Sequence, residues 1–230
     1  MRTLIICNGD SAKELIPIQL TLPGKYEEII ICNRGFVQFD NIATRHVVGE
    51  KTTLYNKHDI PDILNSGNYS ITLPRYINYK GIGHYDKRYN LIPIIRKPRT
   101  RNFKRSVWRI DKGYKVLIEG PKCNDTGQGL GTVLLQAVHL ACLLGTTKIH
   151  IYGADLCFKT EEDHFYGGRI YRDNVCEKNK DHRIITLPDG RKTLNYFANS
   201  AQWANKFLCE IFDNIKITDY SNGLLELDRK

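Results

Sequence analysis

The sequence predicts an α/β fold built on a doubly wound, mainly parallel sheet, and three observations predict it. Short apolar runs at Thr3–Cys7 and Glu28–Cys32 read as strands buried on both faces, and Lys148–Tyr152 reads as a further strand. Each run stops at a polar turn that carries glycine: Asn8-Gly9-Asp10, Asn33-Arg34-Gly35 and Gly153-Ala154-Asp155. Helical signatures separate the runs. Strand, polar turn, helix, strand is the opening of a Rossmann-like sheet.

Taken in order, Thr3–Cys7 is the first strand. Ser11 follows as a helix N-cap, with Glu14 three residues on to complete a capping box, and Pro17 limits that helix to a turn or two. Glu28–Cys32 is the second strand. From about Val48 to Arg109 the pattern loosens into tyrosines, asparagines and basic residues with short apolar pieces such as Ile92 to Ile95, read as further strands and long connections. Lys115–Glu119 is another strand, followed by the glycine-rich turn Thr126–Thr132. Leu134, Leu135, Val138, Ala141, Cys142 and Gly145 then recur at helical spacing. After Lys148–Tyr152, Pro188-Asp189-Gly190 between Ile184–Leu187 and Lys192–Leu194 signals a hairpin. A helix over Tyr196–Phe212 and a strand over Ile215–Thr218 close the fold. The reading is one domain over residues 1–230, with a basic, loop-rich acceptor side at about 48–112.

Composition narrows the class. With 230 residues and 41% hydrophobic content, the chain can bury one substantial core. The longest apolar stretch, Leu130 to Gly145, is interrupted by Gln136 and His139, so no membrane span is expected. The start shows no leader pattern, and a soluble, cytoplasmic protein is expected. The seven cysteines are scattered with no C-x-x-C pair, which argues against a disulfide framework. Cys157, His164, Cys176 and His182 fit no standard zinc spacing, so no metal site is expected. The net charge of +9 points toward polyanionic partners.

The chemistry is expected at the carboxyl ends of the strands, where loops and helix N-termini meet. Glycines there let backbone N–H groups approach phosphate. The turn with Gly127, Gly129 and Gly131 is neither a Walker A loop nor G-x-G-x-x-G. Transfer to a hydroxyl needs a general base, and histidine suits neutral pH. His164, in Asp163-His164-Phe165-Tyr166-Gly167-Gly168, and His182, in Lys180-Asp181-His182-Arg183, are the candidates. His139 reads as a packing histidine, and His46, His58 and His84 have no suggestive neighbours.

Four runs resemble motifs of the bacterial sialyltransferases of glycosyltransferase family 42. Leu4–Leu15 resembles that family's apolar strand followed by Gly-Asn-Gly-Pro-Ser-Leu. Ile31-Cys32-Asn33-Arg34 is similar to its Arg-Cys-Asn. Thr132–Asp155 is similar to its hydroxyl residue, Ala-rich helix, Leu-Gly, strand and Gly-x-Asp. Tyr220-Ser221-Asn222-Gly223-Leu224-Leu225 is similar to its Cys-Pro-Asn-Ser-Leu-Leu. The order is kept; the middle of the chain does not match. Cys7 and Asp10 depart from the first motif, and Asp10 beside a phosphate would be unfavourable unless it points away.

The resemblance implies a GT-A-like single domain that is a nucleotide-sugar-dependent, metal-independent glycosyltransferase. Its catalytic residues would be His182, His164 and Asp155. Asn8, Gly9, Ser11, Asn33, Gly131, Thr132, Gly153, Ser221 and Asn222 would hold the donor, with Tyr166 on the leaving phosphate. The nucleotide-sugar is a co-substrate, and no further cofactor is implied. The same scaffold is similar to that of archaeal 6-hydroxymethylpterin diphosphokinases, for which Asp155, Glu161, Glu162 and Asp163 would hold magnesium with ATP.

The acceptor reading rests on residues 96–109. Arg96, Lys97, Arg99, Arg101, Lys104, Arg105 and Arg109 carry seven cations with Phe103 and Trp108 among them and no acid. Such a segment can neutralise phosphates and stack on bases, each stack contributing about 1–3 kcal/mol. Duplex DNA bearing a hydroxylated base is the favoured acceptor, a saccharide the next. A non-enzymatic nucleic-acid-binding module is the remaining reading.

Overall fold

The computed structural model describes residues 1–39, 41–47, 70–74, 89–92, 133–158, 184–211 and 213–227. The chain is an α/β protein with a mainly parallel sheet. Among the described residues seven strands form it: β1 (Arg2–Ile6), β2 (Glu28–Cys32), β3 (Arg45–Val47), β4 (Ser70–Pro74), β5 (Tyr89–Ile92), β6 (Lys148–Tyr152) and β9 (Lys216–Asp219). Their order is β5-β4-β3-β2-β1-β6-β9, all neighbours parallel. The chain therefore steps outward from β1 to β5, then returns to the other side of β1 with β6. That reversal places the β1 and β6 carboxyl ends side by side.

Two apolar faces explain why β1 and β2 are continuous hydrophobic runs. Ile5, Cys7, Ile30, Cys32, Val47, Ile149, Ile151 and Ile217 line one face and pack against α3 (Val133–Leu143) and α4 (Asn195–Ile211). Full burial of each such aliphatic side chain stabilises the fold by roughly 1.5–3 kcal/mol. Leu4, Ile6, Ile29 and Ile31 alternate to the opposite face and are equally buried. There Gly35, just before α2 (Phe36–Phe39), sits so close that a Cβ would lie 3.1 Å from Ile31 Cβ. In α4, Ala201, Trp203, Ala204 and Leu208 are buried while Gln202 and Lys206 are exposed, the stripe of an amphipathic helix. Gly145, at φ 83°, ends α3, and Thr146 N–H reaches back to Ala141 O at 3.2 Å.

The hairpin appears as β7 (Ile184–Thr186) and β8 (Lys192–Leu194), antiparallel, with Gly190 at φ 84° in its turn. The first helix differs from expectation. Residues 10–14 form a 3-10 turn whose N-cap is Gly9, with no side-chain cap. Ser11 lies inside that turn, so its hydroxyl cannot close a capping box with Glu14. Pro17 opens a separate short helix, α1 (Pro17–Leu20), where its missing N–H costs nothing. The strand expected at Lys115–Glu119 and the glycine-rich turn of residues 126–132 lie outside the described residues. No helix among the described residues is long and apolar enough to cross a membrane.

Candidate functional site

The turns after β1, β2, β6 and β9 meet at the carboxyl edge of the sheet. Between β1 and β6 the ladder runs on past the strands: Cys7 N–H donates to Tyr152 O at 2.8 Å and Gly9 N–H to Gly153 O at 2.7 Å. Only glycine permits this approach at position 9, because a Cβ would stand 2.4 Å from Asp155 Oδ2 and 2.6 Å from Gly153 O. Gly153 answers from the other side. Its φ is 69°, and a Cβ there would meet Cys7 O at 2.4 Å.

Asp155 closes the junction. It is only 2% exposed, and its Oδ2 accepts Ser11 N–H at 2.8 Å. A buried carboxylate needs donors, and the first turn of the 3-10 segment supplies one. Ser11 Oγ in turn accepts Gly153 N–H at 3.2 Å. From the β9 side, Ser221 Oγ accepts Ala154 N–H at 2.8 Å, and Ser221 N–H donates to Asp219 Oδ1 at 3.0 Å. Leu224 N–H donates to Asp155 O at 2.9 Å. Gly223 packs so tightly that a Cβ would fall 2.0 Å from that same oxygen. Residues 153–155 are thus clamped between the turns after β1 and β9.

The hairpin braces the clamp. Thr193 Oγ1 donates to Leu156 O at 2.6 Å, and Phe158 N–H donates to Lys192 O at 2.7 Å. Arg191 Nη1 donates to Gly223 O at 3.0 Å while its guanidinium pairs with Asp189 at 2.6 Å. Leu156, at φ 53°, is held in the left-handed region by these contacts on either side of it.

The turn after β2 is fixed by a histidine. Asn33 sits at φ 44°, in the left-handed region that asparagine tolerates, and is buried. Its carbonyl accepts His46 Nε2. His46 is fully buried on β3, and burial pushes its pKa down to about 4, partly offset by the Asn33 carbonyl. The ring is therefore neutral, with the proton on Nε2.

Beside the clamp, Asn8 Oδ1 is screened from solvent and finds no donor among the described residues. It faces the β2 turn, 3.9 Å from where a Gly35 Cβ would sit. Asp10, the residue expected to trouble a phosphate, pairs with Lys13 at 2.7 Å. Asn222 is exposed at the rim.

Of the expected site residues, Asn8, Gly9, Ser11, Asn33, Gly153, Asp155, Ser221 and Asn222 come together at this one edge. Gly131, Thr132, His164, Tyr166 and His182 lie outside the described residues, as does the whole segment 96–109. So do three members of the Cys157, His164, Cys176 and His182 set. Two histidines that the sequence did not single out, His46 and His150, are prominent in the structure. Three residues, Arg45-His46-Val47, are too short a run to have signalled the first. Compared with known proteins, the chain matches no family model, no curated protein and no solved structure.

Proposed function

We propose that the chain is a glycosyltransferase that binds a nucleotide-activated sugar at this edge and transfers the sugar to an acceptor hydroxyl. The observation that carries the reading is the convergence of Asn8 and Asn33 beside the clamped 153–155 turn, at the strand-order reversal. Ligands of doubly wound sheets bind at such a reversal, and on this reading the fold is Rossmann-like and GT-A-like. Asn8 Oδ1 offers an acceptor to a ligand N–H or O–H, and burying it without a donor costs about 1–3 kcal/mol. Asp155, Ser11 and Ser221 act as positioning residues, since their polar atoms hold backbone amides of the surrounding turns.

In the reaction, the acceptor oxygen forms a bond to the anomeric carbon as the bond from that carbon to the leaving phosphate oxygen breaks. His182 or His164 takes the acceptor proton, and Tyr166 donates to the leaving phosphate. Gly131 and Thr132 complete the donor side, and no metal ion is required. The favoured acceptor is a hydroxylated base in duplex DNA, gripped by residues 96–109. A saccharide is the next. The diphosphokinase reading needs Asp155 as a magnesium ligand, and the chelator arm of the assay separates it from the transferase.

The test is an acceptor mass assay with CMP-, UDP- and GDP-sugars, using hydroxymethylated duplex DNA and an oligosaccharide, with and without chelator. A gain of one glycosyl unit that survives chelation is expected. Magnesium-dependent transfer from ATP alone to a small heterocycle, or no transfer from any sugar donor, would overturn the proposal.

A further inference from the structure

We propose that the β6–β9 half of the sheet, on the face away from α3 and α4, is a stacking platform for single-stranded nucleic acid. Strand register puts Leu4, His150 and Thr218 in one row of that face, with Ile6 and Tyr152 in the next; Leu4 and Thr218 are buried, and the accessible surface is Tyr220 with the half-buried His150 and Tyr152. On β1 and β2 this face is aliphatic and fully buried. On β6 it changes character, because the inward positions of a buried strand are occupied by a histidine and a tyrosine that stay half-buried.

Four rings form a continuous array there. Tyr152 and Tyr220 are stacked, with centroids 5.0 Å apart and an interplanar angle of 9°. His150 meets Tyr220 edge-on at 5.1 Å and Tyr26 edge-on at 5.5 Å. Tyr26 Oη lies 2.9 Å from His150 Nδ1 and fixes that ring. Tyr220 is 42% exposed, an aromatic surface already held in orientation, so ordering it for a stacked base costs little conformational entropy.

Charge selects the occupant. The field at His150 is set by Lys148, Arg2, Lys216 and Lys25, all cationic, and burial together with these cations holds its pKa at about 4. Two carboxylates lie near the array: Glu27, engaged by Arg2 N–H at 2.6 Å, and Glu14, which acts on Tyr152. An aromatic array bordered by four cations and two carboxylates, cationic on balance, suits a chain that alternates flat bases with phosphates. A duplex hides its base faces, and an acidic peptide has none. The platform requires neither the donor site nor residues 96–109.

The test is fluorescence anisotropy of a labelled twelve-nucleotide oligothymidylate on the full chain, without any sugar nucleotide, across a salt series. Tyr220→Ala is expected to weaken binding about five- to 150-fold, the loss of one stacked base. Tyr220→Phe should keep it. The double variant Lys148→Gln/Lys216→Gln should lower the salt slope by about 0.7 for each phosphate no longer neutralised. Unchanged binding in Tyr220→Ala would overturn the proposal and move any nucleic-acid site to another surface. Stronger competition by duplex DNA or polyglutamate than by the single strand would overturn it equally. Failure here leaves the sugar-transfer assay untouched, so the two readings fall separately.

Discussion

Asp155 Oδ2 accepts the backbone N–H of Ser11 at 2.8 Å, and the space between them stays open only because residue 9 has no side chain. This contact links residues 144 apart in sequence and locks the two turns at the strand-order reversal into one rigid edge. The stability of that edge and its response to substitution follow from the lock and from the groups around it.

Gly9→Ala should be more damaging than alanine at an open left-handed glycine. Its Cβ would be forced against Asp155 Oδ2 and Gly153 O, and overpacking of this kind costs about 3 kcal/mol. Gly24→Ala, at φ 74° with nothing within 4 Å, should cost only about 1–2 kcal/mol of backbone strain. Urea midpoints of the two variants decide the matter; equal losses would show that the turn adjusts freely.

Asp155→Ala should destabilise by about 1–3 kcal/mol, because Ser11 N–H is left buried without its acceptor. Asp155→Asn keeps an acceptor oxygen and should recover most of that stability together with most of the transfer rate. A rate in Asp155→Asn as low as in Asp155→Ala, with the fold intact, would assign the carboxylate a direct chemical role instead.

Stability should fall on acidification between pH 6.5 and about 4 because of His46. Its folded pKa is depressed to about 4 from the ordinary 6.5. Above pH 6.5 both states are neutral and the full stability is present. As pH falls the unfolded chain binds the proton first, so stability drops by up to about 1.4 kcal/mol per pH unit, about 3 kcal/mol in all. His150 is depressed in the same direction, but it is half-buried and solvent screening discounts its share. Denaturant midpoints from pH 7.5 to 4 should show the slope, and His46→Gln should flatten it. An equally steep slope in that variant would contradict the assignment.

The cysteines should separate sharply by reactivity. Cys7 and Cys32 are buried with sulfurs 3.7 Å apart, and the Cys7 thiol is raised well above its usual range by the Cys32 contact and by burial. Burial pushes Cys142 up to about 12. Cys209 is exposed. Thiolate is the reactive form, so among the described cysteines iodoacetamide at pH 8 should modify Cys209 first and leave Cys7 and Cys32 intact until denaturant is added. Mass spectrometry of timed samples would reveal early modification of Cys7, which would contradict this burial.

Much of the scaffold was legible in the sequence for a physical reason. β1 and β2 are nearly unbroken apolar runs, β6 alternates isoleucine with Lys148, His150 and Tyr152, α4 has a clear amphipathic stripe, and Pro188-Asp189-Gly190 admits little besides a turn. β3 was not legible, since three residues carrying a basic side chain and a histidine give too short a period to read. At the site, the types and order of Asn8, Gly9, Asn33 and Gly153 were visible, but the clamp was not. Ser11, Asp155, Ser221 and Gly223 meet through contacts across large separations in sequence, and nothing local distinguishes a serine that caps its own helix from one that holds a distant amide. The aromatic array around His150 was hidden for the same reason, because its four rings come from three separate segments.

The most direct test of the central claim is isothermal titration of CMP, UDP, GDP and ATP into the full chain and into Asn8→Ala and Asn33→Gly. Glycine at 33 removes the amide while tolerating φ 44°. The account predicts saturable one-site binding of at least one of these nucleotides, weakened about tenfold or more in each variant with melting temperatures preserved. Absence of binding by all four, or affinity unchanged in both variants, would contradict it.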